Sequence, residues 1–154
     1  MEIEAATDHG VNVFIFDWYW YDSMPFLEGH LNDGFLKAKN KDKMKFYLMW
    51  ANHDVGRRWD KRGADDSFTR KDKSLIWNAE VDRDEFEKIC HRFIGKYFSQ
   101  PNYYTIDDKP VFMIYSLKDL INGLGGVNKT NSEQKLEHET FNEIQTVQDR
   151  FFIF

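Results

Sequence analysis

Three short apolar stretches most constrain what this 154-residue chain can fold into. They are VNVFIF at 11–16, MKFYLMW at 44–50 and VFMIY at 111–115, and both alternate sets of side chains are mostly apolar in each. Because successive side chains of a strand point to opposite faces, these stretches predict strands that are covered on both sides. Such strands are typical of parallel sheets with helices between the strands, which indicates an α/β fold.

Helical signals lie around the first strand. Residues 2–9 predict the end of a helix that closes at Gly10, a frequent residue just after a helix. After the strand, Asp22 or Ser23 can cap a second helix that has Pro25 in its first turn. The chain therefore begins with the helix–strand–helix order expected of an α/β fold.

Two further helices are predicted after a long polar stretch at 51–80, whose length is typical of a functional or disordered loop. The clearest helix spans 82–99, where Asp82 and Glu85 form a capping-box-like pair before an apolar stripe. Residues 116–123 predict a short helix that precedes another glycine-rich turn. Strands alternating with helices favour parallel pairing with right-handed crossovers.

Polar and aromatic residues follow the carboxyl ends of the predicted strands. Parallel α/β folds bind ligands at that edge of the sheet. Because all three strands run in the same direction, their ends meet at one edge, where we expect a binding site. The candidate binding residues are Asp17, Trp18, Trp20, Trp50, Asn52, His53, Asp54, Arg57, Trp59 and Tyr115.

These residue types suit a carbohydrate. The C–H face of a sugar ring packs on Trp or Tyr, and its hydroxyl groups pair with Asp, Asn and Arg side chains. Strand alternation separates Trp18 and Trp20 from Tyr19 and Tyr21. We expect the indole side, with Asp17, to face the ligand and the tyrosines to pack, with about half of the aromatic row in the core.

Some of these residues have a second interpretation. Arg57, near Trp59, fits a loop that folds over a ligand and equally fits a surface salt bridge to Asp54 or Asp60. For His53 the sequence favours a solvated loop residue over an oriented imidazole. Cys90 lies on an apolar helix stripe, which predicts a buried structural thiol.

Other functional classes lack support in the sequence. A net charge of -5 with scattered Lys and Arg argues against nucleic acid. Histidines and the cysteine lack metal-ligand spacing, and GLGG at 123–126 follows a helix, so no cofactor is predicted. No apolar run reaches about 20 residues, so no membrane partner is expected. The N-terminus lacks a secretory leader, which favours the cytoplasm without assigning it.

A family resemblance is carried by three segments, FIFDWYWYDSMPFLEG, FYLMWANHDVGRRWD and YFSQPNYYTIDDKPVFMIYS. Their order and spacing resemble glycoside hydrolase family 99-like domains, which are also called WbsX-like and are related to endo-α-mannosidases. The resemblance covers about residues 2–127, so we predict a partial domain at 1–127. Residues 128–154 are predicted to be a divergent polar tail, helical or disordered.

The resemblance implies a (β/α)8 TIM barrel with its sugar site at the carboxyl-end rim. A full barrel takes about 250 residues, so this chain would form about three βα units, with parallel strands inside, helices outside and the other barrel half as a partner. The usual middle of the WAN block is replaced by residues 53–56, so roles there are not carried over. The resemblance places Asp17, Trp18 and Trp20 on one strand end, Trp50, Asn52 and Trp59 on the next, and Tyr115 on another.

The function implied is that of a carbohydrate-active protein. We expect a fragment of a glycoside hydrolase that acts on α-linked glycans, for example those containing mannose, with an oligosaccharide or polysaccharide as its partner. Hydrolysis typically needs two carboxylates across the scissile bond, and the family's acidic motif does not occur after Tyr115. No catalytic residue is therefore assigned, and the isolated chain should be inactive. The alternatives are a non-catalytic carbohydrate-binding α/β module and a glycosyltransferase-type protein of polysaccharide synthesis.

Overall fold

The computed structural model describes residues 2–56, 75–125 and 152–153. Short helical turns precede the second long strand, at His30–Gly34, Phe35–Lys37 and Lys41–Lys43, and a π-helical segment, Ile94–Phe98, continues the longest helix. The helices and strands are α1 (Glu2–Asp8), β1 (Val13–Tyr21), β2 (Met24–Phe26), β3 (Lys45–Trp50), β4 (Val55–Gly56), β5 (Leu75–Trp77), α2 (Arg83–Phe93), β6 (Thr105–Ile106), β7 (Lys109–Ile114), α3 (Leu117–Gly123) and β8 (Phe152–Ile153).

The strands form a curled half-barrel sheet with the order β2-β1-β3-β7-β6. β1, β3 and β7 pair in parallel, and β8 adds a parallel strand to β7. β2 and β6 are antiparallel additions to β1 and β7, and β4 pairs with β5 in a separate small sheet. The predicted α/β class with a parallel core is confirmed, with antiparallel strands added, while a partial (β/α)8 TIM barrel of about three βα units stays a prediction.

One face of the central sheet is covered by helical segments. Phe93 of α2 contacts the rings of Trp18 and Phe112 at centroid distances of 4.6 and 4.7 Å, and Phe35 contacts Phe16 at 5.1 Å. This closed face holds most of the core, because burying large rings supplies most of the stabilisation of such a domain. Its strand residues are Phe14, Phe16, Trp18, Trp20, Phe46, Leu48, Trp50, Phe112 and Ile114.

The opposite face is less covered within the described chain, although Val111 of β7 is buried there. The paired Cα positions Ile15↔Tyr47 and Asp17↔Met49↔Met113 place these side chains together on it. Ile15 is 52% exposed. The expectation of strands covered on both sides therefore fails at Ile15 and Asp17, which are exposed. We call this the open face, formed by Val13, Ile15, Asp17, Tyr19, Tyr47, Met49 and Met113.

A hairpin replaces the helix predicted after the first strand. Asp22 and Ser23 have φ angles of 50° and 59°, which are the left-handed conformations of a tight hairpin turn. The chain then returns antiparallel to β1 as β2, with Pro25 opposite Trp20. Pro25 tolerates this position because an edge strand does not need its missing N–H. Helical turns begin only at His30.

The other helices match their local signals. Asp82 accepts a hydrogen bond from the Glu85 N–H at 2.9 Å and caps α2, and Ser116 accepts one from the Asp119 N–H at 3.3 Å and caps α3. Cys90 is half-buried against the core, and its burial, with nearby Glu87, raises the pKa of the thiol to about 12.

Two segments depart from their sequence-based description. The stretch 51–80 is not loop throughout, since it contributes β4 and β5. The segment 128–154 contributes β8. The rest of that segment lies outside the described residues, so a helical or disordered tail stays a prediction.

Candidate functional site

The ends of β1, β3 and β7 lie side by side. The paired positions Trp18↔Trp50↔Ile114 close the ladder. The Ala51 N–H still donates to the Trp18 carbonyl at 2.9 Å, and the Tyr115 N–H donates to the Trp50 carbonyl at 3.0 Å. The structure therefore brings residues from all three strand ends to one edge of the sheet, which we call the rim.

Asn52 ties two strand ends together at the rim. Its Nδ2 donates to the Ser116 carbonyl at 2.6 Å, and its Oδ1 accepts from the Ser116 N–H at 2.7 Å. This pair of bonds imitates a further step of the β3–β7 ladder. Asn52 is 2% exposed, and a buried amide is stable only when its polar atoms are paired in this way. A contact with a substrate stays a prediction for this residue.

His53 and Tyr115 are neighbours at the rim. Their ring centroids are 5.1 Å apart, and Tyr115 is 63% exposed. The His53 backbone is held by the Tyr21 hydroxyl, which donates to its carbonyl at 3.1 Å. The His53 Nδ1 lies 3.1 Å from the Asp54 carbonyl oxygen. The His53 backbone is thus anchored by a hydrogen bond, and its imidazole ring has an aromatic neighbour.

Asp54 borders a polar cavity of about 270 Å³. Its Oδ1 accepts from the Ala79 N–H at 2.9 Å, which fixes the segment before α2. Asn52 also lines this cavity, and the remaining side chains come from that segment and from α3. They include Asn78, Glu80, Asp119 and Asn122.

Asp17 and Tyr19 share the open face. The Tyr19 hydroxyl lies 3.5 Å from the Asp17 Oδ2, a long and weak contact. Partial burial, and then the Asp17 charge, raise the pKa of Tyr19. Burial, followed by the influence of Tyr19 and Asp54, raises the pKa of Tyr21 to about 12. Both phenols are therefore neutral hydrogen-bond donors near neutral pH.

The side of the aromatic row that was expected to face a ligand is buried in the described chain. Trp18 is 1% exposed, Trp20 7% and Trp50 1%. All three lie on the closed face, because α2 packs its apolar stripe against that side, while Asp17 shares the other face with Tyr19. Among the described residues, the buried indole N–H groups of Trp20 and Trp50 have no acceptor. Any sugar contact of these rings stays a prediction.

Sequence reasoning missed a second aromatic cluster at the rim. Trp77 of β5 stacks on Tyr21 at 5.7 Å and contacts Phe26 at 4.7 Å. Tyr19 also stacks on Tyr21, with ring centroids 6.1 Å apart. The available signal was an isolated LIW triplet in a polar stretch, which gives no partner. Arg57 and Trp59 lie outside the described residues, so their placement stays a prediction.

Sequence reasoning also missed Glu28, whose carboxylate lies beneath Trp18. It accepts hydrogen bonds from the Trp18 indole at 2.7 Å, the Tyr97 hydroxyl at 2.8 Å and the Arg92 Nε at 2.9 Å, and Lys96 lies 3.2 Å away. Burial alone would raise the pKa of Glu28, but these donors outweigh it and hold the pKa well below its ordinary range. Glu28 therefore anchors α2 to the closed face.

Two other classes of site are absent from the described part of the chain. Across residues 2–56 and 75–125, no three His, Cys, Asp or Glu side chains cluster closely enough to hold a metal ion. No helix in the same residues is long and apolar enough to cross a membrane.

The fold and rim define an α/β protein with a polar and aromatic edge at the carboxyl ends of parallel strands. Within that class, the family model for Glycosyltransferase WbsX matches residues 1–150. The chain belongs to this family, which confirms the resemblance found in its segments. The match continues past residue 127, where the resemblance by segments stopped.

Two relatives show the same likeness. Both are described as Uncharacterized protein WxcX, one from Xanthomonas campestris pv. campestris strain B100 and one from strain ATCC 33913. Each is 30% identical over 114 residues, which is 74% of this chain and 15% of the relative. The chain thus spans about 15% of the length of these relatives. No solved structure matches the chain.

Proposed function

We propose that this chain supplies part of a glycan-binding rim to a WbsX-type carbohydrate-active protein. The observation that carries the proposal is the placement of Asp17, residues 52–54 and Tyr115 at neighbouring ends of three parallel strands. Ligands of α/β folds bind at this edge. The carboxylate, imidazole and phenol groups suit sugar hydroxyls and the C–H face of a sugar ring.

We further infer that the whole protein hydrolyses an α-linked glycan, for example one that contains mannose. The support is the resemblance of three rim-forming segments to glycoside hydrolase family 99-like domains. Glycoside hydrolysis typically uses two carboxylates across the scissile bond, and the paired rows of the open face contribute one, Asp17. We therefore expect the 154-residue chain to bind a glycan without cleaving it.

Calorimetric titration of the chain with an α-linked mannotriose tests binding, and a reducing-sugar assay on mannan tests cleavage. We expect measurable binding that Asp17→Asn weakens, and no release of sugar. Asp42→Asn is the matched control, because Asp42 is an exposed carboxylate before β3, at the opposite end of the sheet. A folded chain without any heat of binding contradicts the proposed rim, and steady sugar release contradicts a non-catalytic chain.

Sugar transfer from an activated donor is the second candidate, because the matching family is described as a glycosyltransferase. It predicts that a nucleoside diphosphate sugar binds more tightly than the corresponding free sugar. Titration with both ligands under the same conditions separates the two candidates. Equal affinity for the free sugar and its nucleotide-linked form argues for the hydrolase.

A further inference from the structure

One edge of the central sheet is only partly paired. β3 takes one side of β1, and β2 takes the other side at residues 19–21 alone. Within the part of the chain that the structure describes, no strand lies beside the outer side of residues 13–18. This stretch, which we call the β1 edge, is as long as a typical strand of about 5–6 residues.

The backbone of the β1 edge points away from the sheet at alternate residues. The carbonyl groups of Asn12 and Trp18 accept hydrogen bonds from the β3 side, at 3.0 and 2.9 Å. Because these groups alternate along a strand, those of Val13, Ile15 and Asp17 point to the outer side. Their three N–H and three carbonyl groups form a row that no described strand pairs with. Such a row is a template for a further strand.

An apolar groove lies along the same edge. It has a volume of about 450 Å³ and is lined by Phe14 and Phe16 of the closed face and by Ile15 of the open face. Because it meets side chains of both faces, the groove lies at the edge of the strand. Its other walls come from α1 and from the helical turns after β2, and they include Ile3 and Phe35. The β1 edge therefore has space beside it for apolar side chains.

We propose that the β1 edge docks an extended, mainly apolar segment from the part of a WbsX-type protein that lies outside these 154 residues. The chain spans about 15% of the length of its relatives, so most of such a protein lies elsewhere. The edge falls within residues 1–150, which the family model matches. The incoming segment adds a strand to the sheet, with affinity from backbone bonds and selectivity from the groove. The proposal does not require the rim to bind a glycan.

The composition of the β1 edge favours a strand that is covered in the longer protein. Free edges of natural sheets are guarded by Lys, by Pro or by a bulge. Residues 11–16 contain no charged residue and no proline, and Val11 and Ile15 are 43% and 52% exposed. Among the described residues, neither Lys nor Arg lines the groove, so an apolar segment suits it better than an acidic one. A second copy is disfavoured because each chain carries a formal net charge of -5.

Amide hydrogen exchange, measured by NMR on the full chain, tests whether the β1 edge is free. We expect the amides of Val13, Ile15 and Asp17 to exchange at least about tenfold faster than those of Phe14 and Phe16, which point towards β3. Equal protection at all of these positions would mean that the edge is already covered within the chain, which overturns the proposal.

A short peptide of alternating threonine and valine then serves as a probe for the docked segment. At saturation we expect it to slow exchange at Val13, Ile15 and Asp17 by at least about tenfold. The matched control is the same peptide with proline at its centre, which lacks a donor needed for pairing and should protect none of these amides. A threonine–valine peptide without effect, or equal protection by the proline peptide, overturns the docking site.

Two variants block the β1 edge from the side of the chain. Val13 is the first residue of β1 and its N–H points outwards, so Val13→Pro removes an edge donor without removing a bond to β3. Ile15→Lys places a charge at the centre of the edge. Both should weaken protection by the peptide, with circular dichroism used to show that they are folded. Leu117→Lys is the control, because Leu117 is 51% exposed on α3, and it should leave protection unchanged.

The last measurements distinguish the sources of the docked strand. In the full-length relative WxcX, hydrogen exchange followed by mass spectrometry should show protection of the segment that corresponds to β1. Exchange there as fast as in this chain overturns an occupant from the longer protein. Sedimentation velocity of the chain alone should show a monomer. A dimer that Ile15→Lys dissociates would identify a second copy as the occupant and overturn the proposed one.

Discussion

The two faces of the central sheet are built from alternate residues of the same strands, yet they differ in kind. On the closed face the large rings, such as Trp18 and Trp50, are about fully buried, at 1% exposure each. On the open face Ile15 is 52% exposed and Asp17 is in contact with solvent. Much of the aromatic content is therefore packing, and the side chains free to meet a ligand belong to the residues between those rings.

The carboxylates on the two faces also differ in the hydrogen bonds that they accept. Glu28, on the closed side, is 10% exposed and accepts bonds from several donors, including Arg92 and Trp18. Asp17, on the open side, has one long contact, with Tyr19, in the described chain. A carboxylate whose acceptor positions are occupied is structural, whereas one facing solvent can receive the hydroxyl groups of a ligand. The number of hydrogen-bond donors around each carboxylate thus indicates whether it stabilises the fold or is free to bind a ligand.

Removing the charge of Glu28 should produce the largest loss of stability. Glu28→Gln leaves the guanidinium of Arg92 and the ammonium of Lys96 without their carboxylate. Loss of one partner of a buried pair costs about 3–5 kcal/mol. Because these cations are 31% and 38% exposed, we expect the lower end, about 3 kcal/mol. Urea unfolding of the variant and the wild type measures this loss in the free energy of unfolding.

The matched control for that experiment is Glu87→Gln on the exposed side of α2. Glu87 is 71% exposed and lies 3.8 Å from His91, so its loss should change the free energy of unfolding by less than about 0.5 kcal/mol. Equal effects of the two variants would show that the closed face is not held by the Glu28 cluster.

Lowering the pH should remove the stabilising contribution of the Glu28 carboxylate without a mutation. The pKa of Glu28 lies below its ordinary value of 4.5 in the folded chain, so its carboxylate stabilises the fold above that value, and the stability is lost as the pH falls below it. One such group changes the free energy of unfolding by at most about 1.4 kcal/mol per pH unit. Urea unfolding from about pH 5 down to pH 3 should show a steeper fall in the wild type than in Glu28→Gln. Parallel curves would contradict this prediction.

Two glycines test how tightly the helices on the closed side are packed. A Cβ on Gly123, at the end of α3, would meet the Val81 carbonyl oxygen at 2.4 Å, whereas one on Gly95 would meet nothing within 4 Å. Gly123→Ala should therefore destabilise the chain by about 1–3 kcal/mol. Gly95→Ala should stabilise it by about 0.5–1 kcal/mol, because the unfolded chain loses freedom. Thermal unfolding of both variants checks the difference in sign.

Local signals in the sequence predicted the parallel strands and two capped helices. β3, β7, α2 and α3 each have their pattern and caps within one short segment, so neighbouring residues suffice to find them. The hairpin after β1 was missed because Asp22 and Ser23 adopt left-handed angles that usually belong to Asn-Gly. Their alternative role as helix caps uses the same residue types.

The site was only partly predictable for a different reason. Strand direction located the rim, but which face was open depended on where α2 packs, and that is not encoded in β1. Glu28 contacts Arg92, Lys96 and Tyr97, which lie 64 to 69 residues away in the sequence. The row of Trp18, Trp50 and Ile114 likewise exists only through the register of three strands. Contacts of this length require tertiary structure.

Apart from the Glu87→Gln control, the smallest loss of stability is expected on the open face, with Ile15→Ser. Full burial of an isoleucine contributes about 1.5–3 kcal/mol, and Ile15 is half exposed, so the substitution should cost less than about 1 kcal/mol. Urea unfolding at several protein concentrations measures this cost. A larger loss that grows with concentration would mean that a second copy covers this face in solution. That second copy would then compete with a glycan for the open face, and glycan binding would weaken as the protein becomes more concentrated.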